Sequence, residues 1–306
     1  MKKAIVTGAT GFLGSWLVKE LISHDIQTIA VIRSDESDVS ILQNEDKIRV
    51  VICPFAEYHK LPILILDRDI DVFFHLAWAG TSAMHRSDTK LQLNNLQAAC
   101  NAVKAASEIG CSKFVNAGSI MEYEAMQYIP EDTIEPGLSN IYSIAKSSAY
   151  FIAKSLAVSL NLPYINAVIS NIYGAGEKSA RFINSTLRKF IKHEKTLFTH
   201  GNQMYDFLYV TDAVRAFYLI GEKGKPYTNY YIGNSKPYPL RQFVIMMKDI
   251  VDRDIIVTFG EIPIQGASLT YQEFDTTKLE MELGFKAYVT FEEGIKKTVQ
   301  WIRKNE

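Results

Sequence analysis

A net charge of either sign is missing from this 306-residue chain: 33 basic side chains stand against 34 acidic ones, for a formal balance of -1. Such a chain casts no strong field toward nucleic acid or an anionic membrane, so any phosphate it binds must be met by local groups. Cysteine is also scarce. The three present, Cys53, Cys100 and Cys111, have neither CxxC nor His-rich spacing. An odd count argues against a disulfide framework, and the pattern suggests no metal site. No apolar run approaches the length of a membrane span. The opening MKKAIVTGATG reaches Gly8 too soon for the apolar core of a secretory signal. No internal repeat is visible. These absences lead us to expect a protein of a reducing cytoplasm with neither a membrane nor a nucleic-acid partner. What is present is a globular composition, 47% hydrophobic and 22% charged, which can fill a sizeable core. At this length one large domain with a smaller appendage is expected.

Hydrophobic periodicity organises the first half. A short apolar strand over 3–7 leads into a glycine-rich turn over 8–14, a helix over 15–23 and a second strand over 28–32. Further strands are expected at 49–52, 71–76 and 114–117, with a helix over 91–108 before the last of them. A long helix over 140–160 follows the turn at Pro136 and Gly137, and a strand over 164–170 follows the helix. Alternating strands and helices imply an α/β fold: a Rossmann-type doubly wound parallel sheet with right-handed connections. We place this domain at 1–170. The less regular remainder, 171–306, reads as a mainly substrate-binding α/β portion, with some segments returning to the large domain. Helices are expected there near 181–192, 211–221 and 290–303, and short strands near Leu197 and Tyr230.

The first chemical signal is the turn Gly8-Ala9-Thr10-Gly11-Phe12-Leu13-Gly14. Its glycines allow a tight turn, a close approach by pyrophosphate and close packing of helix on strand. The helix start offers free N–H groups to anionic oxygens. Gly8, Thr10, Gly11, Phe12, Leu13 and Gly14 are therefore candidate dinucleotide contacts. The adenosine end should lie after the second strand, in AVIRSDES. There Arg33 and Ser34 suit the extra phosphate of NADP, whereas Asp35 suits the free ribose hydroxyls of NAD. NADP is the expected cofactor, and NAD stays open.

Tyr142-Ser143-Ile144-Ala145-Lys146 lies in the long helix, which sets Tyr142 and Lys146 on one face, one turn apart. An ammonium near a phenol favours the phenolate, so Tyr142 can exchange a proton with an alcohol or carbonyl while hydride passes to or from a nicotinamide. Ser119 follows the strand at 114–117, at the carboxyl edge where open parallel sheets place their ligands. Its hydroxyl can orient the same substrate oxygen.

In this order, TGATGFLG, HLAW, Ser119, YSIAK, NIYG and YDFLYVTD resemble the extended short-chain dehydrogenase/reductase family, in particular its nucleotide-sugar epimerases, dehydratases and ketoreductases. The resemblance runs through nearly the whole chain. It implies that Ser119, Tyr142 and Lys146 form the catalytic core, and that Tyr142 and Lys146 also meet the cofactor. It further implies that backbone at Leu76 and Ala77 approaches the dinucleotide, that the smaller portion receives a nucleotide sugar, and that the chain forms a homodimer. Asn95 matches a helix asparagine with a hydrogen-bonding role, and His75 reads as core.

Departures from the family pattern narrow the reaction. Its 4,6-dehydratases carry Asp-Glu directly after the serine position, where this chain has Ile120 and Met121, which offer no proton. Glu122 comes one residue later, and on an extended segment it would face the other way. Asn171 matches the asparagine of the family's NVYGP segment and is a candidate substrate contact. Tyr205 stands where an arginine usually meets the nucleotide diphosphate, and Arg181 or Arg215 can supply that charge instead. The expected reaction is NAD(P)H-dependent reduction of a nucleotide-linked 4-keto-6-deoxy sugar. Epimerisation of a nucleotide sugar and a non-catalytic NAD(P)-binding regulator remain alternatives.

Overall fold

A computed structural model describes residues 1–42, 46–129, 136–263 and 268–306. β1 (Lys3–Thr7), α1 (Phe12–Ser23), β2 (Gln27–Ile32) and β3 (Ile48–Ile52) open the chain. They are followed by α2 (Leu61–Leu64), β4 (Val72–His75), α3 (Ala83–Arg86), α4 (Thr89–Ile109) and β5 (Phe114–Ser119). Next come α5 (Met121–Gln127), α6 (Ile141–Ser159), β6 (Tyr164–Ile169), β7 (Asn171–Tyr173) and α7 (Phe182–Ile191). The later elements are β8 (Thr196–Phe198), β9 (Met204–Tyr205), β10 (Phe207–Tyr209), α8 (Val210–Lys223) and β11 (Asn229–Ile232). β12 (Tyr238–Pro239), α9 (Leu240–Val251), β13 (Val257–Phe259), α10 (Thr277–Leu283) and α11 (Phe291–Asn305) complete the set.

Seven strands form one parallel sheet in the order β11-β6-β5-β4-β1-β2-β3, a Rossmann-type arrangement. Alternation along each strand sends neighbouring side chains to opposite faces. Ala4, Val6 and Ala30 pack with Leu17, Val18 and Leu21 of α1 and with Ala213 and Phe217 of α8. Ile5, Ile29 and Phe73 face the other way, onto Ala98, Ala102 and Val103 of α4 and Ala153 and Ala157 of α6. Small residues on α4 and α6 let those helices lie close to the sheet. On that face Phe73 stacks on Phe114 at 5.3 Å, and Phe114 on Tyr164 at 5.7 Å. Each such pair contributes about 0.5–1.5 kcal/mol beyond its buried area.

Local signals place the helix ends. The Asp88 side chain accepts the Leu91 N–H at 3.0 Å at the start of α4, and Gly110, at φ 86°, terminates that helix. Thr290 and Glu293 form a capping box at the start of α11. β5 is longer than its apolar run, because Gly118 and Ser119 keep pairing with Val168 and Ile169 of β6. Ser119 is thus the last residue of a strand rather than the first of a loop. Beyond β6 the smaller pairs are β7 with β10, β9 with β12 and β8 with β13, while β11 returns to the large sheet. No helix among the described residues is long and apolar enough to cross a membrane.

Candidate active site

β1 delivers the chain into the glycine turn, where Gly8 has φ +70°. Gly11 caps α1 without a side-chain bond, so the N–H groups of the first helical turn are open to an incoming anion. A Cβ on Gly8 would come within 2.9 Å of the Ala77 nitrogen, and one on Gly14 within 2.0 Å of the Gly8 oxygen. The missing side chains let the turn pack on the end of β4 and the helix pack on the turn, and the open N–H groups at the start of α1 fit the phosphates of a dinucleotide. A cavity of about 400 Å³ lies against the turn, lined by Gly8, Thr10, Gly11, Arg33, Ser34, Leu76 and Ala77. The remaining candidates from the turn, Phe12, Leu13 and Gly14, carry the backbone N–H groups of that first helical turn. Phe12 and Leu13 pack on the core, and Gly14 is buried beneath the turn. At the adenosine end Arg33 and Ser34 share the wall with Glu36 and Asp38. Asn95 holds the Ala79 backbone there, donating to its oxygen at 2.8 Å and accepting from its nitrogen at 2.9 Å. His75 is buried, with Nδ1 at 2.9 Å from Thr7 Oγ1, and burial brings it down to about 3, which keeps it neutral.

A second cavity, of about 460 Å³, brings together Ser119, Tyr142, Asn171, Arg181 and Tyr205. Ser119 closes β5, and its Oγ accepts the Met121 N–H at 3.2 Å, which leaves the hydroxyl proton to donate. Tyr142 sits in the first turn of α6. The Trp78 ring meets it edge-on at 6.1 Å, and the Arg86 guanidinium lies 4.7 Å from its centre. Lys146 lines neither cavity. Its Nζ donates to the Ala117 oxygen at 3.0 Å and lies 3.8 Å from the Trp78 ring centre. Burial pulls this ammonium below the ordinary lysine range, against the attraction of Tyr142 and Glu122. Trp78 walls the first cavity and Tyr142 the second, so Lys146 lies beneath their border.

The segment after Ser119 is not extended. Ile120 is buried beside Val168 and Tyr231, its N–H continues the ladder to the Ile169 oxygen at 2.9 Å, and α5 begins at once. Glu122 therefore turns inward. Its Oε1 accepts the Ser119 N–H and its Oε2 the Asn166 side-chain amide, both at 2.9 Å. Burial pushes this carboxyl up to about 7, with Lys146 and its hydrogen bonds acting in opposition. Glu124 lines the second cavity. It accepts from Ser143 Oγ at 2.8 Å, Asn140 Nδ2 at 3.0 Å and the Tyr128 hydroxyl at 3.4 Å, and burial raises it above the ordinary carboxyl range.

The two cations offered for the diphosphate part company. Arg181 lines the cavity, its Nε 3.4 Å from Glu177 Oε2. Arg215 lies elsewhere, bonded to Asp212 Oδ1 at 2.7 Å and stacked at 4.2 Å over Tyr288. Tyr205 stacks on Phe207 at 5.5 Å. Asn171 begins β7, paired with Phe207 of β10. Sequence reasoning passed over Arg86, Glu124 and Asn140, which line the same cavity. Only the closely spaced acids of MEYE hinted at Glu124, and nothing local marked Arg86.

Comparison with known proteins identifies relatives that share the length and fold of this chain. The mouse dTDP-D-glucose 4,6-dehydratase is 26% identical over 336 residues, covering 99% of this chain and 89% of its own. The solved UDP-glucose 4-epimerase of Thermotoga maritima superposes with a TM-score of 0.80 at 24% identity, covering 99% of each chain. The Bordetella bronchiseptica enzyme WbmF, solved with NADH, gives a TM-score of 0.80 at 21% identity, covering 99% of this chain and 92% of its own. The family model described as "NAD dependent epimerase/dehydratase family" matches residues 4–233. That span takes in the glycine turn, the Ser119 strand end and the Tyr142 helix, and by it the chain belongs to the NAD dependent epimerase/dehydratase family.

Proposed function

We infer that this enzyme reduces a nucleotide-linked 4-keto-6-deoxy sugar. One observation carries the reading. Ser119 and Tyr142 face a common cavity with Lys146 beneath its border, while the positions suited to a dehydrating acid pair hold Ile120 and Met121 and the next carboxyl, Glu122, is turned away. A dinucleotide held by the glycine turn would supply hydride chemistry at the sugar carbonyl. Tyr142 donates the proton to the carbonyl oxygen, and Ser119 holds that oxygen by donating its hydroxyl hydrogen. Lys146 stabilises the phenolate that remains and holds the nicotinamide ribose. Arg181 meets the diphosphate, and Asn171 and Tyr205 bind the substrate through an amide and an aromatic face. Arg33 and Ser34 on the cavity wall favour NADPH, although WbmF was solved with NADH.

Epimerisation is the second reading, favoured by the similarity to the Thermotoga UDP-glucose 4-epimerase. It uses the same three residues, with the keto intermediate turning over in place before hydride returns to its other face. Incubation with dTDP- and UDP-linked 4-keto and 4-hydroxy sugars, with and without NADPH, separates the two. Stoichiometric NADPH loss is the expected result. Isomer formation without net loss would make the enzyme an epimerase, and cofactor binding with no turnover across the panel would make it a regulator. The working unit in this reading is a homodimer.

A further inference from the structure

We propose that Glu122 and Glu124 are positioning residues which together set the Ser119 hydroxyl and the Tyr142 phenol at their working separation; this rests on the roles assigned to that pair above. Residues two apart on a helix point to different sides. α5 uses this divergence. Glu122 reaches toward the sheet and holds the Ser119 N–H through Oε1 at 2.9 Å. Its Oε2 is held by Asn166, whose own oxygen accepts the Asn116 amide at 2.8 Å, so the carboxyl is fixed to both β5 and β6. Gly118 leaves the room for this, since a Cβ there would lie 2.9 Å from Glu122 Oε1.

Glu124 reaches the other way, to the start of α6. It accepts from Asn140 at 3.0 Å and Ser143 at 2.8 Å, the residues two before and one after Tyr142. Asn140 in turn accepts the Gly137 N–H at 2.8 Å, which fixes the approach to the helix. A third tie runs from Ser147 Oγ to the Glu122 backbone oxygen at 3.3 Å. One short helix thus grips the strand end that carries the serine and the helix start that carries the tyrosine. Burying two carboxyls among mostly neutral donors is costly, and apolar side chains of similar volume would pack there at lower cost. What the carboxyls add is direction, fixed by acceptor geometry on both sides.

The test is a pair of double-mutant cycles on the full chain. kcat and KM are measured on whichever of dTDP-4-keto-6-deoxyglucose and UDP-glucose turns over, and NADPH and NADH binding is measured by fluorescence. Glu122→Ala and Glu124→Ala should each lower kcat by about 10- to 100-fold, with KM and cofactor affinity moving by less than about threefold. In a Ser119→Ala background the Glu122→Ala effect should shrink to less than about twofold, and the Glu124→Ala effect should do the same in a Tyr142→Phe background. Should either alanine variant fail to fold, Glu122→Gln and Glu124→Gln, which keep the volume, go through the same cycles and are read by the same criterion. Undiminished effects in the paired backgrounds, or loss of cofactor binding in step with kcat, would overturn the proposal. Ser119→Ala and Tyr142→Phe each leaving turnover intact would overturn the functional reading itself, a different and separately visible outcome.

Discussion

Tyr142 and Glu122 illustrate what one side chain commits the site to. Replacing Tyr142 by Phe keeps the ring packed against Trp78 and Arg86 but removes the exchangeable proton. Turnover should fall about 100-fold or more while dinucleotide affinity stays nearly unchanged, as kinetics beside a binding titration will report. Glu122 makes a separate commitment through pH. Its carboxyl sits near 7 in the fold, above the 4.5 of an unhindered glutamate. The native state therefore holds this proton more tightly than the unfolded chain. Its contribution to stability is complete below about pH 4.5 and is lost as pH rises to about 7, a change on the order of 3 kcal/mol. Glu122→Gln should lessen the fall in melting temperature between pH 5 and pH 8, measured calorimetrically. The serine, tyrosine and lysine were legible because motif order marks them wherever the loops run. The aim of Glu122 was not, since it depends on a helix starting with a single residue, Ile120, between it and the end of a strand, and no periodicity in four or five residues shows that.

Among the elements, the β1 to α1 turn is the most demanding. A methyl group on Gly14 would have to occupy space 2.0 Å from the Gly8 oxygen, so Gly14→Ala must push the helix off the turn. We expect dinucleotide affinity to fall by about two orders of magnitude or more, read by fluorescence titration, with most secondary structure kept. Strands and long helices were readable from period-two and period-3.6 patterning, and their observed limits lie within a few residues of expectation. α5 was not readable. Its sequence, MEYEAMQ, has too few turns to declare a face, and only the docking of Ile120 against Val168 and Tyr231 decides which way it starts. The stacking of Phe182 on Phe207, beside Tyr205, was equally hidden, because it brings α7 onto β10 across the intervening strands.

Among the described residues, α4 and α6, which pack on one face of the sheet, carry exposed apolar side chains. Ile144 and Phe151, two turns apart on α6, are 45% and 51% exposed, Ile152 is 44% exposed, and Leu93 on α4 is 59% exposed. A second copy is the occupant we expect there, and the double substitution Phe151→Glu with Ile152→Glu should convert a dimer to a monomer in light scattering without abolishing cofactor binding. The parallel sheet and the nucleotide end were visible in the order of motifs. Which arginine shares the cavity with Ser119 and Tyr142 was not, because separating Arg181 from Arg215 needs the path of the chain through space. That path also has a consequence for how the protein can be made. Strand β11, drawn from beyond residue 170, hydrogen-bonds to β6 and seals that flank of the sheet. Severing the polypeptide between Ser170 and Asn171 would therefore yield a front fragment with a raw, sticky edge and a rear fragment carrying an orphaned strand. Each should aggregate when expressed by itself, and recovery should require co-expression of the two pieces.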